Sequence, residues 1–142
     1  MRDQLNLLHF VKALAPVAVA LADNTAQVGA IIDRKGYESL TYVILPGVLA
    51  DANATFAVTM EHGDDSGLSD TAAVAAPDLV GTLALAGFQF DDDGEPRKVG
   101  YVGPKRYTRL TITPTGNTGD APLAVLAVLG NPAKAPTPNP PI

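Results

Sequence analysis

The sequence predicts an all-β protein, an antiparallel β-sandwich of jelly-roll or immunoglobulin-like topology with an extended N-terminal arm and a Pro-rich C-terminal tail. Apolar runs of strand length are separated by Gly, Pro, Asn and Asp throughout residues 25–130, and no long helical period interrupts them. At 142 residues, with 46% hydrophobic and 18% charged residues, the chain is long enough for one hydrophobic core. We therefore divide it into an arm (1–24), a sandwich domain (25–130) and a tail (131–142).

Two runs give the clearest strand patterns. Residues 55–62 alternate apolar and polar side chains, and the apolar members are Phe56, Val58 and Met60. Residues 39–45 place a second apolar set on one face, made of Leu40, Tyr42 and Ile44. Alternation of this kind is typical of a strand with one buried and one solvated face.

The remaining strands are predicted from shorter or less regular runs. Residues 27–32 form one strand before the turn at 33–36, and the Ala-rich pieces 71–76 and 79–90 are assigned as strands although such sequence also fits helix. Residues 97–102 and 107–113 predict a hairpin that turns at Gly103 and Pro104. Residues 123–129 are apolar on both faces, which indicates a central strand or one covered by another subunit.

The two ends of the chain differ from the middle. Leu5, Leu8, Val11 and Leu14 recur at helical spacing, which predicts a short amphipathic helix before Pro16. The prolines of the tail lack backbone donors and fix φ, so we expect an extended, polyproline-like strap there. The N-terminus lacks a signal-peptide pattern and the apolar run 13–22 is too short to span a bilayer, so we expect a soluble intracellular product with no membrane partner.

The residue inventory leaves little room for catalysis. There is no Cys, and the histidines are His9 and His62, the latter expected at a surface turn. The serines lie outside any nucleophile elbow, and they are Ser39, Ser66 and Ser69. We therefore predict no catalytic residue, no cofactor and no metal ligand, and a protein that is not an enzyme.

Two acidic clusters leave alternatives open. Residues 91–95 and the group Asp64, Asp65 and Asp70 suggest solvated turns, because neither has the ligand spacing of a calcium loop. A calcium site is the less favoured alternative. A glycosidase-like carboxyl pair that includes Glu61 is less favoured still, because no aromatic platform accompanies it.

Charge is distributed unevenly along the chain. The formal net charge is -5, and residues 36–96 contain no Lys or Arg. Basic side chains then return together, as Arg97, Lys98, Lys105, Arg106 and Arg109. Because acids outnumber them nearby, we interpret this group as a salt-bridge surface toward another subunit rather than a nucleic-acid patch.

Several strings resemble a family of small proteins encoded in tailed-bacteriophage structural gene clusters. They include DRKGYESLTYVI from residue 33, EHGDDSGLSD from residue 61, and RKVGYVGPKRYTRLTITPTGNTG from residue 97, and the resemblance covers about residues 26–132. It implies a virion component, made in the host cytoplasm and belonging to the head. Our interpretation within that class is a decoration or cement protein on the capsid surface, which binds the major capsid protein as a homo-oligomer, preferably a trimer.

The apolar arm is the expected anchor, together with the basic group. Its side chains are Leu5, Leu7, Leu8, Phe10, Val11 and Leu14. Arms that become ordered on docking can span neighbouring subunits of a lattice. Two alternatives remain, a tail or head-tail connector component of the same particle, and a carbohydrate-binding or hydrolytic sandwich that meets the host surface.

Overall fold

A computed structural model describes residues 2–16 and 23–141. Parts of the predicted arm, including most of the apolar run 13–22, lie outside the described residues, as does the last residue of the tail. The strands are β1 (His9–Leu14), β2 (Gln27–Val28), β3 (Ile32–Asp33), β4 (Tyr37–Pro46), β5 (Thr55–Gly63), β6 (Ala72–Ala73), β7 (Leu79–Val80), β8 (Phe88–Gln89), β9 (Arg97–Tyr101), β10 (Tyr107–Thr115) and β11 (Leu123–Pro132). One short helix, α1 (Leu83–Ala86), and three 3-10 turns, Leu5–Leu7, Ala76–Asp78 and Phe90–Asp92, lie between them.

The strands form two antiparallel sheets, which confirms the predicted β-sandwich. The first sheet, called sheet A, has the order β1-β11-β4-β9-β7. The second, sheet B, has the order β2-β10-β5-β6, with β3 also paired to β10 and β8 to β5. Consecutive long strands lie in opposite sheets, and neighbours within a sheet come from distant parts of the chain. This interleaving is the jelly-roll arrangement of two Greek keys, and it differs from the immunoglobulin order.

The predicted hairpin of residues 97–102 and 107–113 is wrong. β9 pairs with β4 and β7 in sheet A, whereas β10 pairs with β5, β2 and β3 in sheet B. The link through Gly103 and Pro104 therefore crosses from one sheet to the other. A short Gly-Pro connection is compatible with a hairpin and with this crossing, so the local sequence does not distinguish them. The pairing of β9 with β4 and of β10 with β5 produces the crossing.

The core fills the space between the two sheets. Both predicted apolar faces are buried, and the stacked rings of Phe56 and Phe88 lie 4.8 Å apart at their centres. Tyr42 and Tyr101 are among the largest side chains that are fully buried. The predicted strand over residues 123–129 is confirmed as central, because β11 pairs with β1 on one side and β4 on the other.

The predicted N-terminal helix is wrong. Residues 9–14 form the edge strand β1, and only Leu5–Leu7 make a helical turn, of the 3-10 kind. His9 and Ala13 are buried, so the inward side chains follow the strand period of two and not a helical period. A bulge after Lys12 turns the side chain of Leu14 toward the core as well. The described part of the arm is therefore an integral part of sheet A.

Two predicted Ala-rich strands are mostly absent. Between 71 and 76 only Ala72–Ala73 pair with β5, and residues 79–90 form β7, α1 and β8 in succession. Thr82 caps α1 by accepting the Leu85 amide, which gives this piece its helical turn. The run 27–32 is likewise divided between β2 and β3, separated at Gly29, whose amide bonds to the Leu110 carbonyl.

The tail is folded back rather than extended. β11 continues through Pro132, and the chain then returns to the N-terminal turn. The buried Thr137 hydroxyl donates to the Leu8 carbonyl at 2.6 Å, and its amide donates to the Asn6 carbonyl at 3.0 Å. The strap prediction is therefore wrong for this segment, which closes over the start of β1.

Candidate binding surface

The outer faces of the two sheets have opposite character. On sheet B, the outward side chains of β5 and β10 are mostly polar, and they include Thr55, Thr59, Thr111, Thr113 and Thr115. On sheet A, the outward side chains of β11 and β4 are mostly apolar, and they include Ala124, Leu126, Val128, Val43 and Leu45. Sheet A therefore has apolar side chains on both of its faces.

Pairing across sheet A arranges its outward residues in rows. One row runs Lys12, Leu126, Val43, Lys98, from β1 through β11 and β4 to β9. The next row runs Phe10, Val128, Thr41, Gly100, Val80, from β1 to β7. We call these two rows, with Ala124 and Leu45, the apolar face.

The apolar face leaves large side chains in solvent. Phe10 is 38% exposed, Leu126 39%, Leu45 53% and Val80 59%. Four strand spacings make the face about 19 Å wide, and four residues make it about 13 Å long. The apolar face therefore extends over about 250 Å², which is comparable in size to the largest apolar patch on a typical monomer. This area is about a third of the roughly 800 Å² that each partner buries in a standard interface.

A depression lies at one side of the apolar face. It has a volume of about 370 Å³ and is lined by Thr41, Val80, Lys98, Gly100 and Val102, among others. Gly100 has no side chain to fill it, and a Cβ there would come within 3.1 Å of the Val80 Cβ. An apolar side chain from a partner could enter at this point.

The structure divides the predicted N-terminal anchor between two environments. Val11 and Leu14 pack against the core, and Leu7 and Leu8 are partly buried. Phe10 belongs to the apolar face, and Leu5 is 63% exposed in the turn before β1. The period of two along β1 causes the division, because successive side chains point to opposite faces.

Four of the five predicted basic residues are paired within the chain. The ion pairs are Arg97–Asp92, Lys105–Asp64, Arg106–Asp33 and Arg109–Glu61. Arg106 bonds both oxygens of Asp33, at 2.8 and 2.7 Å. Lys98 is the member of the group that makes no ion pair among the described residues, and it lies on the apolar face. A role of this group in binding another subunit stays a prediction.

These pairs hold carboxyl groups in their charged form. The hydrogen bond from Arg106 lowers the pKa of Asp33, against the effect of partial burial. Burial acts to raise the pKa of Glu61, but hydrogen bonds from Thr71 and Arg109 and the charge of Arg109 lower it overall. A general acid of a glycosidase needs a raised pKa, so the shift at Glu61 runs in the opposite direction.

The acidic turn after β5 is held by its own backbone. Asp70 accepts the amides of Asp64 and Asp65 at 2.8 and 3.0 Å, and Asp65 accepts those of Gly67 and Ser69. The backbone amides of Asp64 and Asp65 lower the pKa of Asp70. Within residues 2–16 and 23–141, no group of three or more His, Asp or Glu side chains is placed to hold a metal ion.

His62 is buried, which corrects its predicted place at a surface turn. His62 points to the same side of β5 as the buried Phe56, Val58 and Met60. Its Nδ1 lies 2.7 Å from the Tyr101 hydroxyl. That hydroxyl also accepts the Lys105 amide, and the Arg34 guanidinium lies over the Tyr101 ring. This polar group closes one end of the sandwich interior.

Sequence reasoning did not identify most of the apolar face. The sequence does indicate an outward position for Leu126, because the run 123–129 is apolar on both faces. Val43 and Leu45 alternate with buried residues of β4, so this strand also has apolar side chains on both faces, although fewer of them. Phe10 was identified, but as part of a helix. The rows themselves depend on strand pairing, which a single sequence does not display.

Fold and surface together define a jelly-roll protein in which the described residues leave one sheet face apolar and exposed, an arrangement suited to a structural or binding role. No protein-family model matches the chain, and a search of curated proteins gives no match. Among solved structures, the chain is similar to the PBSX exported protein XepA, with a TM-score of 0.56 and 14% identity over 92% of this chain and 39% of that one. At this identity the likeness shows the fold alone.

Two further solved structures are more distant. One holds the CBM22-1 and GH10 modules of the Clostridium thermocellum xylanase Xyn10B, with a TM-score of 0.44, 11% identity and coverage of 92% of this chain and 27% of that one. The other is the SPBc2 prophage-derived protein YomS, with a TM-score of 0.42, 10% identity and coverage of 86% and 91%. With TM-scores below 0.5, these two carry no argument about this chain. Among the described residues, no helix is long and apolar enough to cross a membrane.

Proposed function

We propose that the protein is a non-enzymatic structural component of a tailed-bacteriophage virion, a decoration or cement protein that binds the lattice of the major capsid protein and stabilises the head. The observation that carries this proposal is the apolar face of sheet A. The outer face of an antiparallel sheet is commonly polar, as that of sheet B is, so an apolar outer face on sheet A is the feature that favours a partner.

The phage setting is supported by the family resemblance of residues 26–132 and by the fold shared with XepA, a protein named for the PBSX element. The distribution of charge also fits a protein partner. The net charge is -5, and four of the basic side chains downstream of Pro96 are occupied by acids of the same chain. A net negative charge disfavours binding to the phosphate groups of a nucleic acid.

Geometry makes the lattice role physically reasonable. The apolar face is smaller than the roughly 800 Å² per partner of a standard interface, so a single contact made by it alone is expected to be weak. Many copies on a repeated lattice, or a homo-oligomer such as the trimer, engage several such contacts at once and gain affinity by avidity. Assembly on a capsid surface provides that repetition.

Co-sedimentation tests the proposal. The purified protein is mixed with shells assembled from the major capsid protein of the same phage genome and centrifuged. We expect saturable binding at a fixed ratio, reduced at least about tenfold by Leu126→Glu, which buries a charge in the interface. Thr113→Glu introduces the same charge on the outer face of sheet B and should bind normally. Absence of wild-type binding contradicts the proposal.

The location of the protein on the virion separates the decoration role from the connector alternative. A decoration protein is expected over the whole shell, at a copy number set by the lattice. A connector or tail component is expected only at one vertex or along the tail. Labelling of intact virions with an antibody to the protein distinguishes the two patterns.

A further inference from the structure

Two lysines bracket the apolar face. Lys12 on β1 and Lys98 on β9 are the end members of one cross-strand row, with Leu126 and Val43 between them. Three strand spacings separate their backbones, which is about 14 Å. Both side chains are exposed and point outward, because their neighbours Val11, Ala13 and Val99 point inward.

Six of the ten basic residues make no ion pair among the described residues, and of these six Lys12 and Lys98 lie on the apolar face. Lys105, Arg106 and Arg109 each have a carboxylate partner in the chain, in which fifteen acidic residues outnumber ten basic residues. Lys12 and Lys98 have no such partner among the described residues, and the described rows of the apolar face contain no Asp or Glu. The face is therefore apolar at its centre and positive at two opposite margins.

We infer that the apolar face recognises a protein surface of complementary design, with an apolar centre flanked by two carboxylates about 14 Å apart. The inference deepens the proposed function, on which it rests for the identity of the shell. Charges at the rim of an interface add modest affinity but select the partner and its orientation. Because the row runs perpendicular to the strands of sheet A, the line between the partner's two carboxylates would also run perpendicular to these strands.

A second copy of the same face does not meet this description. When two such faces meet about a twofold axis perpendicular to the row at its centre, Lys12 of one copy lies opposite Lys98 of the other, and about an axis along the row each lysine lies opposite its own copy. Like charges so placed oppose association. The complementary surface therefore belongs to a different protein, and self-pairing through this face is disfavoured by its own charges.

An anionic membrane is also less suited than an acidic protein. Lysines at the margins of an apolar patch attract lipid phosphates, but stable attachment to a membrane surface requires clustered cations. The apolar face carries two, and the whole chain has a net charge of -5. Membrane binding is thus the outcome that the test must separate from protein recognition.

Charge reversal tests the inference on shells. The variant with Lys12→Glu and Lys98→Glu should bind shells at least about tenfold more weakly than the wild type, since each reversal turns an attraction into a repulsion. The matched control reverses Lys35 and Lys134, two exposed lysines away from the apolar face, and changes the net charge equally. If the wild type binds shells and the two double variants bind alike, the inference is overturned and the proposed function stands.

A synthetic probe decides the inference if shells are not bound at all. An amphipathic helix with a Leu face carries two Glu residues eleven positions apart, because a helix advances 1.5 Å and turns 100° per residue, so both Glu side chains lie on one side about 16 Å apart. A matched peptide carries Lys in their place. Chemical-shift titration should place the Glu peptide on Leu126 and Val43, with affinity at least about tenfold above the Lys peptide and lost in the Lys12→Glu, Lys98→Glu variant.

Equal affinity for the two peptides, no binding of either, or shifts away from the apolar face overturns the inference. So does binding to phosphatidylglycerol vesicles that depends on Lys12 and Lys98 when neither shells nor the Glu peptide are bound, because the face then recognises a membrane. Failure of the proposed function appears separately, as wild-type protein that leaves shells unbound.

Discussion

The hydroxyl of Tyr101 lies 2.7 Å from Nδ1 of His62 and joins the two sheets of the sandwich. Tyr101 belongs to β9 of sheet A and His62 to β5 of sheet B. The hydroxyl also accepts the Lys105 amide at 3.1 Å. A second link of the same kind joins the Tyr42 and Thr108 hydroxyls, also at 2.7 Å. The core is therefore sealed by two polar contacts across its layers.

Removal of the Tyr101 hydroxyl should destabilise the fold. Tyr101→Phe keeps the ring but leaves His62 Nδ1 and the Lys105 amide without their partner, at a cost of about 1–3 kcal/mol. Tyr107→Phe is the matched control, because Tyr107 is only partly buried and its ring keeps the contact with Arg106. Urea unfolding measures both variants. Equal stability of Tyr101→Phe and wild type would show that the contact does not contribute.

Deletion of residues 2–16 should unfold or strongly destabilise the protein rather than release a dispensable arm. The deletion removes β1, exposes the edge of β11 and takes away the buried Ala13 and the partly buried Val11 and Leu14 that pack against the core. Deletion of residues 2–4, which precede the 3-10 turn, is the control. Denaturant unfolding and light scattering should detect lower stability and association for the longer deletion. A monomer of wild-type stability contradicts this account of β1.

The sequence anticipated what depends on neighbours along the chain and missed what depends on distant partners. The inward faces of β4 and β5 followed from alternation alone. β1 was mistaken for helix because Leu5, Leu8 and Leu14 also fit a helical period, and only pairing with β11, near the other end of the chain, makes it a strand. The row that contains Lys12 and Lys98 depends on three such pairings, so the sequence alone does not place these two lysines on one face.

Stability should fall as the solution becomes acidic. The pKa values of Asp33 and Glu61 are lowered in the fold, so both groups bind protons less readily there than in the unfolded chain. Their contribution is present above their unfolded pKa values, near pH 4, and is lost as pH falls through the lowered values. In Glu61→Gln the acid-side decline of the unfolding free energy should be shallower. Glu95→Gln, at an exposed carboxyl that forms no ion pair among the described residues, is the control variant.

The tail contact should stabilise the start of β1 locally. Thr137→Val keeps the side-chain shape but removes the hydroxyl that donates to the Leu8 carbonyl, at a cost of about 1 kcal/mol. Hydrogen exchange of amides in residues 5–11 should accelerate more than exchange in β4 and β5. Thr113→Val, on the solvated face of sheet B, should leave the exchange pattern unchanged. Uniform acceleration of exchange throughout the sandwich would contradict a local stabilisation of β1 by Thr137.

The central claim is that the uncovered face of sheet A is where this protein meets a shell. An electron cryo-microscopy reconstruction of decorated shells, at a resolution that separates strands, tests it most directly. We predict that Leu126, Val43 and Phe10 lie against the major capsid protein, while the Thr-rich face of sheet B points to solvent. A reconstruction in which the Thr-rich face contacts the shell and the apolar face is open to solvent would contradict the account.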